Sequence, residues 1–441
     1  MLSRWCTPLG VLMLLCWSAA RPCEAADGRV TRLQVDEARA AQAGIRKLSA
    51  KHLRLFTDLP ASAEVDALPA AFDQALPQWC QYFGVETAAH ADWWVTGFLM
   101  NDASRFRQVG LLPDDLPAFE RGFSRAYDLW LYEQRTDYDR DYYRRHLLLH
   151  EGTHSFMSTI LGGCGPPWYM EGMAELLATH RWRDGRLTLG SIPANREEVP
   201  GWGRIKIVVD AVAERRAKTL QQVIEYDARA HLQTEPYGWC WAAALLLDRH
   251  PRYQERFRQL RQFVRGRGLS KEFYRLMGDD WGALAEEWQV FVTSLEYGYD
   301  VPRTAIDFTP GQPLPESGKT VTVAADRGWQ NSGIRLEAGT TYHLRAAGRY
   351  QVADQPKTWW CEPNGVSIRY YKGRPLGILL GAVRPDQPAA GTSPLVRPLV
   401  IGLDRSLAPK HAGTLFLKIN DSAAELGDNA GSLEVTVKPE R

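Results

Sequence analysis

The spacing of two histidines and a glutamate constrains this 441-residue chain more than any other feature of its sequence. The segment His150-Glu151-Gly152-Thr153-His154 spells H-E-x-x-H, and Glu171 follows it. Positions i and i+4 of a helix lie on one face, so His150 and His154 can hold one metal ion between them. Glu171 supplies a third protein ligand and leaves one tetrahedral position for water or substrate, which suits zinc. Glu151 then lies beside the metal, where it can take a proton from the bound water.

The residues around this motif predict two helices joined by a reversal. The run 142–149 contains neither Gly nor Pro, so it extends the first helix upstream. A Gly-rich turn ends at Pro166-Pro167, and a second apolar helix begins near Met170. Such a reversal can bring Glu171 back over the histidine pair. His146, one turn before the first of these histidines, would compete with Glu171, so we expect it to have a structural role or to support a ligand.

H-E-x-x-H followed by Trp168-Tyr169-Met170-Glu171-Gly172-Met173-Ala174-Glu175 resembles the gluzincin metallopeptidases, the clan that contains thermolysin and the zinc aminopeptidases. The similarity is greatest to the peptidase-MA-like secreted bacterial proteins and covers roughly residues 52 to 298. It implies that His150, His154 and Glu171 bind zinc and that Glu151 is the general base. It also implies that Glu175 is a carboxylate that orients a ligand histidine.

The same resemblance implies a downstream Tyr or His that stabilises the oxyanion of the tetrahedral intermediate. Tyr237 is the candidate, because it opens the helical run Tyr237-Gly238-Trp239-Cys240-Trp241. The alternative is an ordinary core tyrosine. The family's cleft strand, which pairs with the substrate backbone, would fall in the segment 122–133, unless this is an ordinary edge strand. The chain has no upstream G-x-M-E-N stretch, with which zinc aminopeptidases grip a free N-terminus. An endopeptidase is therefore favoured, and an unusual exopeptidase is the alternative.

The pattern along the chain predicts several domains: an α+β metallopeptidase, with a small mixed sheet and a helical lobe, followed by an all-β sandwich. Strands are expected at Leu53–Thr57, Trp93–Leu99 and Tyr127–Glu133, a helix over 62–84, and a hairpin at Asp184-Gly185. The boundaries that follow are 1–25, a signal peptide; 26–51, an N-terminal segment that could be a propeptide; 52–300, the metallopeptidase-like domain; 301–318, a Pro-rich linker; and 319–441, the β-sandwich.

The targeting signal rests on Arg4 and the apolar run Val11–Trp17, which is too short for a convincing membrane span. No other stretch reaches spanning length, so we expect a secreted or periplasmic protein without a transmembrane segment. Lys and Arg number 53 against 52 Asp and Glu, and this balance gives no reason to expect a nucleic-acid partner. Four cysteines follow the signal, too few for a disulfide scaffold, although one bridge is possible.

A loop near the end of the chain is rich in oxygen ligands. Residues 420–432, N-D-S-A-A-E-L-G-D-N-A-G-S, carry several carboxylates and amides. These groups suit Ca²⁺, which takes six to eight oxygen ligands with flexible geometry. The alternative is a polar hairpin turn in which Asp, Asn and Gly satisfy backbone geometry.

This loop, with residues 329–339 and 346–348 upstream, resembles the small calcium-dependent galactose-binding bacterial lectins. The resemblance implies that Asp421, Asp428 and Asn429 give side-chain oxygens to calcium and Glu425 its backbone carbonyl, with two sugar hydroxyls completing the coordination. A further carbonyl ligand would fall near 350–353. Asp428 stands where those lectins usually carry Asn, and Glu425 where they carry Thr, so the sugar preference can differ.

Together these patterns predict a secreted zinc peptidase that acts on a peptide or protein substrate and binds glycans or glycoproteins through its C-terminal domain. Two alternatives remain open. One is a carbohydrate-binding surface protein whose peptidase fold is inactive. The other is an amidase that acts on cell-wall peptides with the same zinc chemistry.

Overall fold

The computed structural model describes residues 32–134, 140–230, 233–386 and 391–440. The expected signal peptide and the first residues after it lie outside these ranges. The expected fold class is confirmed. An N-terminal part combines a mixed sheet with a lobe of helices, and a C-terminal part consists of packed sheets.

The N-terminal sheet has five strands in the order β1-β2-β3-β5-β4. Strands β2, β3 and β5 run parallel, whereas β1 and β4 pair antiparallel at the two edges. All six residues of β3 are buried, as expected for a parallel strand covered on both faces. The bounds are β1, Arg46–Ser49; β2, Leu53–Thr57; β3, Val95–Met100; β4, Gly122–Arg125; and β5, Asp128–Tyr132.

The sequence predicts a different structure for the two segments that contain β1 and β4. Residues 26–51 were expected to precede the domain, but β1 lies within them and pairs with β2 along its whole length. Segment 122–133 is a hairpin rather than one strand, with Ala126 in the turn at φ 51°. Its first arm, β4, forms the edge of the sheet.

Helices pack on this sheet and continue as a lobe down to residue 304. The region predicted as one helix over 62–84 is two helices. The bounds are α1, Glu37–Gln42; α2, Ala63–Asp66; α3, Leu68–Phe83; α4, Ala103–Gln108; α5, Arg140–Phe156; α6, Pro167–Ala178; α7, Arg204–Ala213; α8, Leu220–Ile224; α9, Thr234–Arg249; α10, Gln254–Gln259; α11, Leu269–Met277; α12, Trp281–Ser294; and α13, Val301–Thr304.

A two-stranded hairpin follows α6, formed by β6, His180–Arg183, and β7, Arg186–Leu189. It turns at Asp184-Gly185, as the sequence predicts, with both residues at positive φ. Between α5 and α6 the chain makes one π-helical turn, Met157–Leu161, and then reverses at Gly162, whose φ is 80°. This reversal lays α6 against α5.

The C-terminal sandwich packs a five-stranded sheet against a four-stranded sheet, in the orders β17-β16-β19-β10-β8 and β18-β11-β20-β9. Inward-facing residues such as Leu344, Leu415 and Val435 form its core. The bounds are β8, Gln312–Pro313; β9, Lys319–Ala324; β10, Gln330–Leu336; β11, Tyr342–Ala347; β12, Tyr350–Ala353; β13, Trp359–Cys361; β14, Val366–Tyr371; β15, Arg374–Leu376; β16, Leu379–Pro385; β17, Leu399–Val400; β18, Asp404–Leu407; β19, Gly413–Ile419; and β20, Ser432–Pro439.

Residues 301–318, expected to be a linker, carry α13 and β8. Ile306 and Phe308 are buried with Trp329 and Phe416 of the sandwich. The backbone N–H of Ile306 donates to Glu287 Oε1 at 2.7 Å. This segment is therefore packed against both parts of the chain.

In the ranges that the structure describes, no helix is both long and apolar enough to cross a bilayer. Cys80, Cys164, Cys240 and Cys361 are buried thiols, and no disulfide joins them.

Candidate metal centre

Helix α5 places His150 and His154 one turn apart on one face. Their Nε2 atoms are 3.1 Å apart, and their rings are nearly perpendicular, at 86°. Neutral imidazoles that turn one nitrogen each toward the same point offer two lone pairs there. The helical spacing thus produces the convergence that the motif predicts.

The carboxylate of Glu171, on α6, completes a group of three potential ligands. Its Oε2 atom lies 3.3 Å from Nε2 of His150 and 3.5 Å from Nε2 of His154. One ligand atom from each residue lies within 4.8 Å of the other two, so the group could hold a metal ion. The same Oε2 is buried and, in the described residues, has no hydrogen-bond partner. Such an oxygen is costly to bury, and a cation at this point would satisfy it.

The charges around this group favour a positive ion. Burial alone would raise the pKa of Glu171, but the imidazoles of His154 and His150 lower it to about 2. Burial would lower the pKa of His150, but Glu171 and Glu175 instead raise it well above its usual value. Both pKa shifts come from the same attraction between the buried carboxylates and the positive charge of the imidazoles. A metal cation placed between these groups would be stabilised in the same way.

Gly172, which has no side chain, lets α6 pack closely on α9. A Cβ atom on Gly172 would lie 2.9 Å from the backbone oxygen of Cys240, closer than real Cβ contacts. The two helices therefore meet backbone to backbone at this point. Since Tyr237 lies in the first turn of α9, this contact fixes its placement relative to Glu171.

Glu151 is buried on α5, beneath the edge strand β4. A Cβ atom on Gly122 would lie 2.5 Å from Oε1 of Glu151, so the carboxylate packs directly against the strand backbone. Burial raises the pKa of Glu151, Glu171 adds to this effect, and the histidines and a hydrogen bond with Ser124 oppose it. A buried carboxylate with a raised pKa suits proton transfer.

Glu175 lies one turn beyond Glu171 and contacts two histidines. Its Oε1 atom lies 3.3 Å from Nδ1 of His150, and its Oε2 atom lies 3.3 Å from Nε2 of His146. His146 also places Nδ1 3.1 Å from the backbone oxygen of Ala178. The carboxylate thus holds the ring of His150 from the side opposite Nε2, the arrangement that orients ligand imidazoles in metal sites.

Arg204, at the start of α7, binds both oxygens of Glu175. Its Nη2 and Nε atoms donate to Oε1 and Oε2 at 2.7 and 2.9 Å, and all of these groups are buried. His146, His150 and Glu175 also meet the distance criterion for a metal group. Arg204 occupies both carboxylate oxygens of Glu175, whereas Oε2 of Glu171 has no hydrogen-bond partner among the described residues, so the group that contains Glu171 is the better candidate for a metal site. Sequence reasoning missed Arg204, since it lies 29 residues beyond its partner with no motif to mark it.

Tyr237 lies beside His150. Its ring centroid is 5.8 Å from that of His150, and the guanidinium of Arg204 lies 5.6 Å from its ring. Burial, followed by the carboxylates of Glu171, Glu151 and Glu175, raises the pKa of Tyr237. Its hydroxyl therefore stays protonated and can act as a donor.

The four residues predicted to bind calcium are brought together in part. Asp421 is buried, and its carboxylate accepts from the backbone N–H of Ser422 at 2.7 Å and from Nδ2 of Asn429 at 2.8 Å. The amide oxygen of Asn429 is buried and, in the described part of the chain, has no hydrogen-bond partner. An unpaired oxygen next to a buried carboxylate fits a cation site.

Glu425 and Asp428 lie on the exposed side of the loop. The side chain of Glu425 accepts from Arg369 at 2.8 Å, and Asp428 accepts from the backbone N–H of Asp354 at 3.3 Å. Burial, together with Glu425 and Asp428, raises the pKa of Asp421 to about 6 against the hydrogen bonds that it accepts. Among the described residues, the groups of three His, Cys, Asp or Glu ligands all lie around α5, so the carboxylates of this loop do not form one.

A scan of protein-family models and a search of curated proteins find no match. Among solved structures, the chain is similar to the "EclA N-terminal domain; PllA-like lectin" at 21% identity and a TM-score of 0.22, over 29% of this chain and 100% of that one. It is similar to IMPa from Pseudomonas aeruginosa in complex with an O-glycopeptide at 14% identity and a TM-score of 0.19, over 60% of this chain and 26% of that one. It is also similar to the IMPa metallopeptidase in complex with T-antigen at 12% identity and a TM-score of 0.18, over 80% of this chain and 38% of that one. The chain thus spans well under half of the IMPa chains that it matches.

Proposed function

We propose that this protein is a zinc-dependent peptidase of the gluzincin type. The observation that carries the proposal is the convergence of His150, His154 and Glu171, whose ligand atoms lie within 4.8 Å of one another. Glu151 stands next to the first ligand on the same helix. Two imidazoles and one carboxylate are a ligand set of catalytic zinc, which keeps a position open for water or substrate.

Zinc in this site would polarise a peptide carbonyl and lower the pKa of a water molecule. Glu151 then accepts the proton of the attacking water at a carboxylate oxygen and returns it to the leaving amine. The raised pKa of Glu151 makes its carboxylate a stronger base for the first of these transfers. Tyr237 donates its phenolic hydrogen to the carbonyl oxygen as negative charge develops there.

The free edge of β4 supports an extended peptide as the substrate. β4 ends the sheet order, so none of the described strands pairs with its outer side. Its first residue, Gly122, contacts Glu151, so the edge runs past the proposed general base. A peptide that adds to this edge is recognised mainly through backbone hydrogen bonds and needs no free terminus. This geometry favours an endopeptidase.

For the C-terminal domain we propose calcium-dependent binding of glycans or glycoproteins. The support is the pairing of Asp421 with Asn429, whose buried amide oxygen has no partner in the described residues. Asp428 would add a further oxygen and Glu425 its backbone carbonyl. Glu425 binds Arg369 through its side chain, and its backbone carbonyl, which accepts from the N–H of Asp428 at 3.4 Å, keeps a second lone pair for a cation. The regions that carry the two activities would be 52–300, extended by β1 of the same sheet, and 319–441, in a secreted or periplasmic protein.

The test of the peptidase proposal combines metal analysis with hydrolysis of a quenched fluorescent peptide library. Glu151→Gln removes the base and keeps the ligands, so zinc content should be unchanged while hydrolysis falls by about 10²- to 10⁴-fold. Glu64→Gln, an exposed glutamate on α2, is the matched control and should behave as wild type. Hydrolysis that resists chelators, or that survives in Glu151→Gln, would refute the proposal. Glycan binding without hydrolysis would favour the inactive-fold alternative, and cleavage confined to cell-wall peptides would favour the amidase.

A further inference from the structure

Glu296 links the peptidase-like domain to the sandwich through hydrogen bonds. It lies just after α12, and its Oε1 atom accepts three hydrogen bonds from the C-terminal domain. The donors are the hydroxyl of Tyr371 at 2.9 Å, the hydroxyl of Ser422 at 2.8 Å and the backbone N–H of Ala423 at 3.0 Å. One carboxylate oxygen therefore joins a strand end and a loop of the sandwich to the helical lobe.

Two of these donors belong to the loop proposed to bind calcium, residues 420–432. Ser422 and Ala423 directly follow Asp421, and the backbone oxygen of Ala423 accepts from the N–H of Asp300 at 3.0 Å. The backbone that follows Asp421 is thus held on both its donor and its acceptor sides by residues 296–300. The N–H of Ser422 in turn donates to the carboxylate of Asp421.

The hairpin of β14 and β15 takes part in the same contact. The hydroxyl of Tyr371 reaches Glu296, while its backbone oxygen accepts from Asn420 Nδ2 at 3.1 Å. The next residue, Lys372, donates from Nζ to the backbone oxygen of Thr293 at 2.7 Å. The loop, the hairpin and the end of α12 therefore form one hydrogen-bonded unit.

We propose that Glu296 is a positioning residue of the candidate calcium site, and that it couples cation binding to the docking of the two domains. This inference rests on the proposed calcium function of the loop. If docking through Glu296 holds Asp421 in its binding geometry, calcium must stabilise docking by the same free energy, because linkage is reciprocal. A glycan held at the loop would then keep a fixed orientation to the peptidase cleft.

The experiment is calorimetric titration of the full chain with Ca²⁺, in wild type, Glu296→Ala and Glu286→Ala. Glu286, on α12, is the matched control, since it is a glutamate that also binds the sandwich, through Arg384 Nε at 2.6 Å and Ser393 Oγ at 2.7 Å. Neither partner belongs to the loop. Both substitutions should weaken docking and lower the melting temperature. We expect only Glu296→Ala to raise the Kd for Ca²⁺, by about fivefold or more.

The outcomes separate the inference from the function on which it rests. If wild type binds no Ca²⁺, the calcium function fails and the coupling falls with it. If wild type binds Ca²⁺ and Glu296→Ala binds it equally well, the calcium function stands and the coupling is refuted. An equal loss of affinity in both variants would also refute the role of Glu296. Should Glu296→Ala fail to fold, Tyr371→Phe removes one of the three donors and should raise the Kd by a smaller factor, whereas an unchanged Kd would refute the coupling.

Discussion

Arg204 and Glu175 form a buried bidentate ion pair directly behind the ring of His150. The guanidinium binds both carboxylate oxygens, at 2.7 and 2.9 Å, and Oε1 also faces Nδ1 of His150. A permanent positive charge therefore keeps the carboxylate ionised and fixed, and the carboxylate in turn fixes the imidazole. The orientation of His150 on α5 therefore depends on a residue from α7.

Arg204→Met should weaken zinc binding, because it leaves Glu175 buried without its cation and free to rotate. We expect the affinity for zinc to fall by about 10- to 100-fold. Competition with a chromophoric chelator measures this directly. Lys206→Met is the control, since its exposed side chain lies two residues away and binds only Asp210 among the described residues. Zinc affinity equal to wild type in Arg204→Met would show that Glu175 needs no such support.

Gly122→Ala should impair catalysis without removing the metal. The new Cβ would lie 2.5 Å from Oε1 of Glu151, so the carboxylate or the strand must shift. A displacement of about 1 Å in a reacting group costs about 10²-fold in rate, which is the fall expected in kcat/KM. Zinc content should stay at the wild-type level. Gly282→Ala, where a Cβ meets nothing within 4 Å, is the control, and a similar fall there would point to a general effect on folding.

Tyr237→Phe should lower kcat by about 10²- to 10³-fold and leave KM nearly unchanged, because the lost hydrogen bond forms only as charge develops on the carbonyl oxygen. Since the pKa of Tyr237 is raised, its ionisation should not appear in the pH profile of the wild type. Steady-state kinetics on one peptide substrate measures both constants. Tyr274→Phe, on α11, serves as the matched control. A rise in KM with kcat intact would instead assign Tyr237 to substrate binding.

His180 should make the protein less stable as the pH falls below neutrality. Burial, with His146 and Arg145, lowers the pKa of His180 to about 3, from its usual 6.5. The folded state therefore keeps the ring neutral while the unfolded chain takes up a proton below pH 6.5. The stability is fully present above that pH and is lost progressively below it, by about 2 kcal/mol at pH 5.

The measurement is urea unfolding of wild type and His180→Gln at pH 7.5 and pH 5.0. In wild type, Nδ1 of the ring contacts the backbone oxygen of Ala178 at 2.8 Å, and Nε2 accepts from Arg145 at 3.3 Å. A glutamine offers similar groups but does not titrate. The variant should therefore lose about 2 kcal/mol less between the two pH values than wild type does. Equal losses would mean that His180 is not the source.

Local patterns predicted those parts of the structure that depend on neighbouring residues. The strand at Leu53–Thr57 has the predicted bounds, and the hairpin turns at Asp184-Gly185 as its turn residues require. The helix of the H-E-x-x-H motif and its Gly-rich reversal follow from periodicity and turn chemistry. The placement of Glu171 over the histidines follows from that reversal.

Features that depend on long-range contacts were not predictable in the same way. Arg204 reaches Glu175 from another helix, and β1 joins the sheet although its segment resembles a leader to the domain. Glu296 carries no motif, since its role depends on a sandwich whose contacting loop is 126 residues away. Residues 301–318 have a linker's composition, yet Ile306 and Phe308 are buried where two domains meet.

The outer edge of β4 also exposes the protein to aggregation through strand pairing. None of the described strands pairs with the outer side of β4, and an edge that would accept a peptide substrate would equally accept a strand from a second molecule. This edge is short, at four residues, and carries Arg125, whose charge disfavours stacking of identical strands. In the described part of the chain, short length and charge, rather than a covering strand, limit aggregation at this edge.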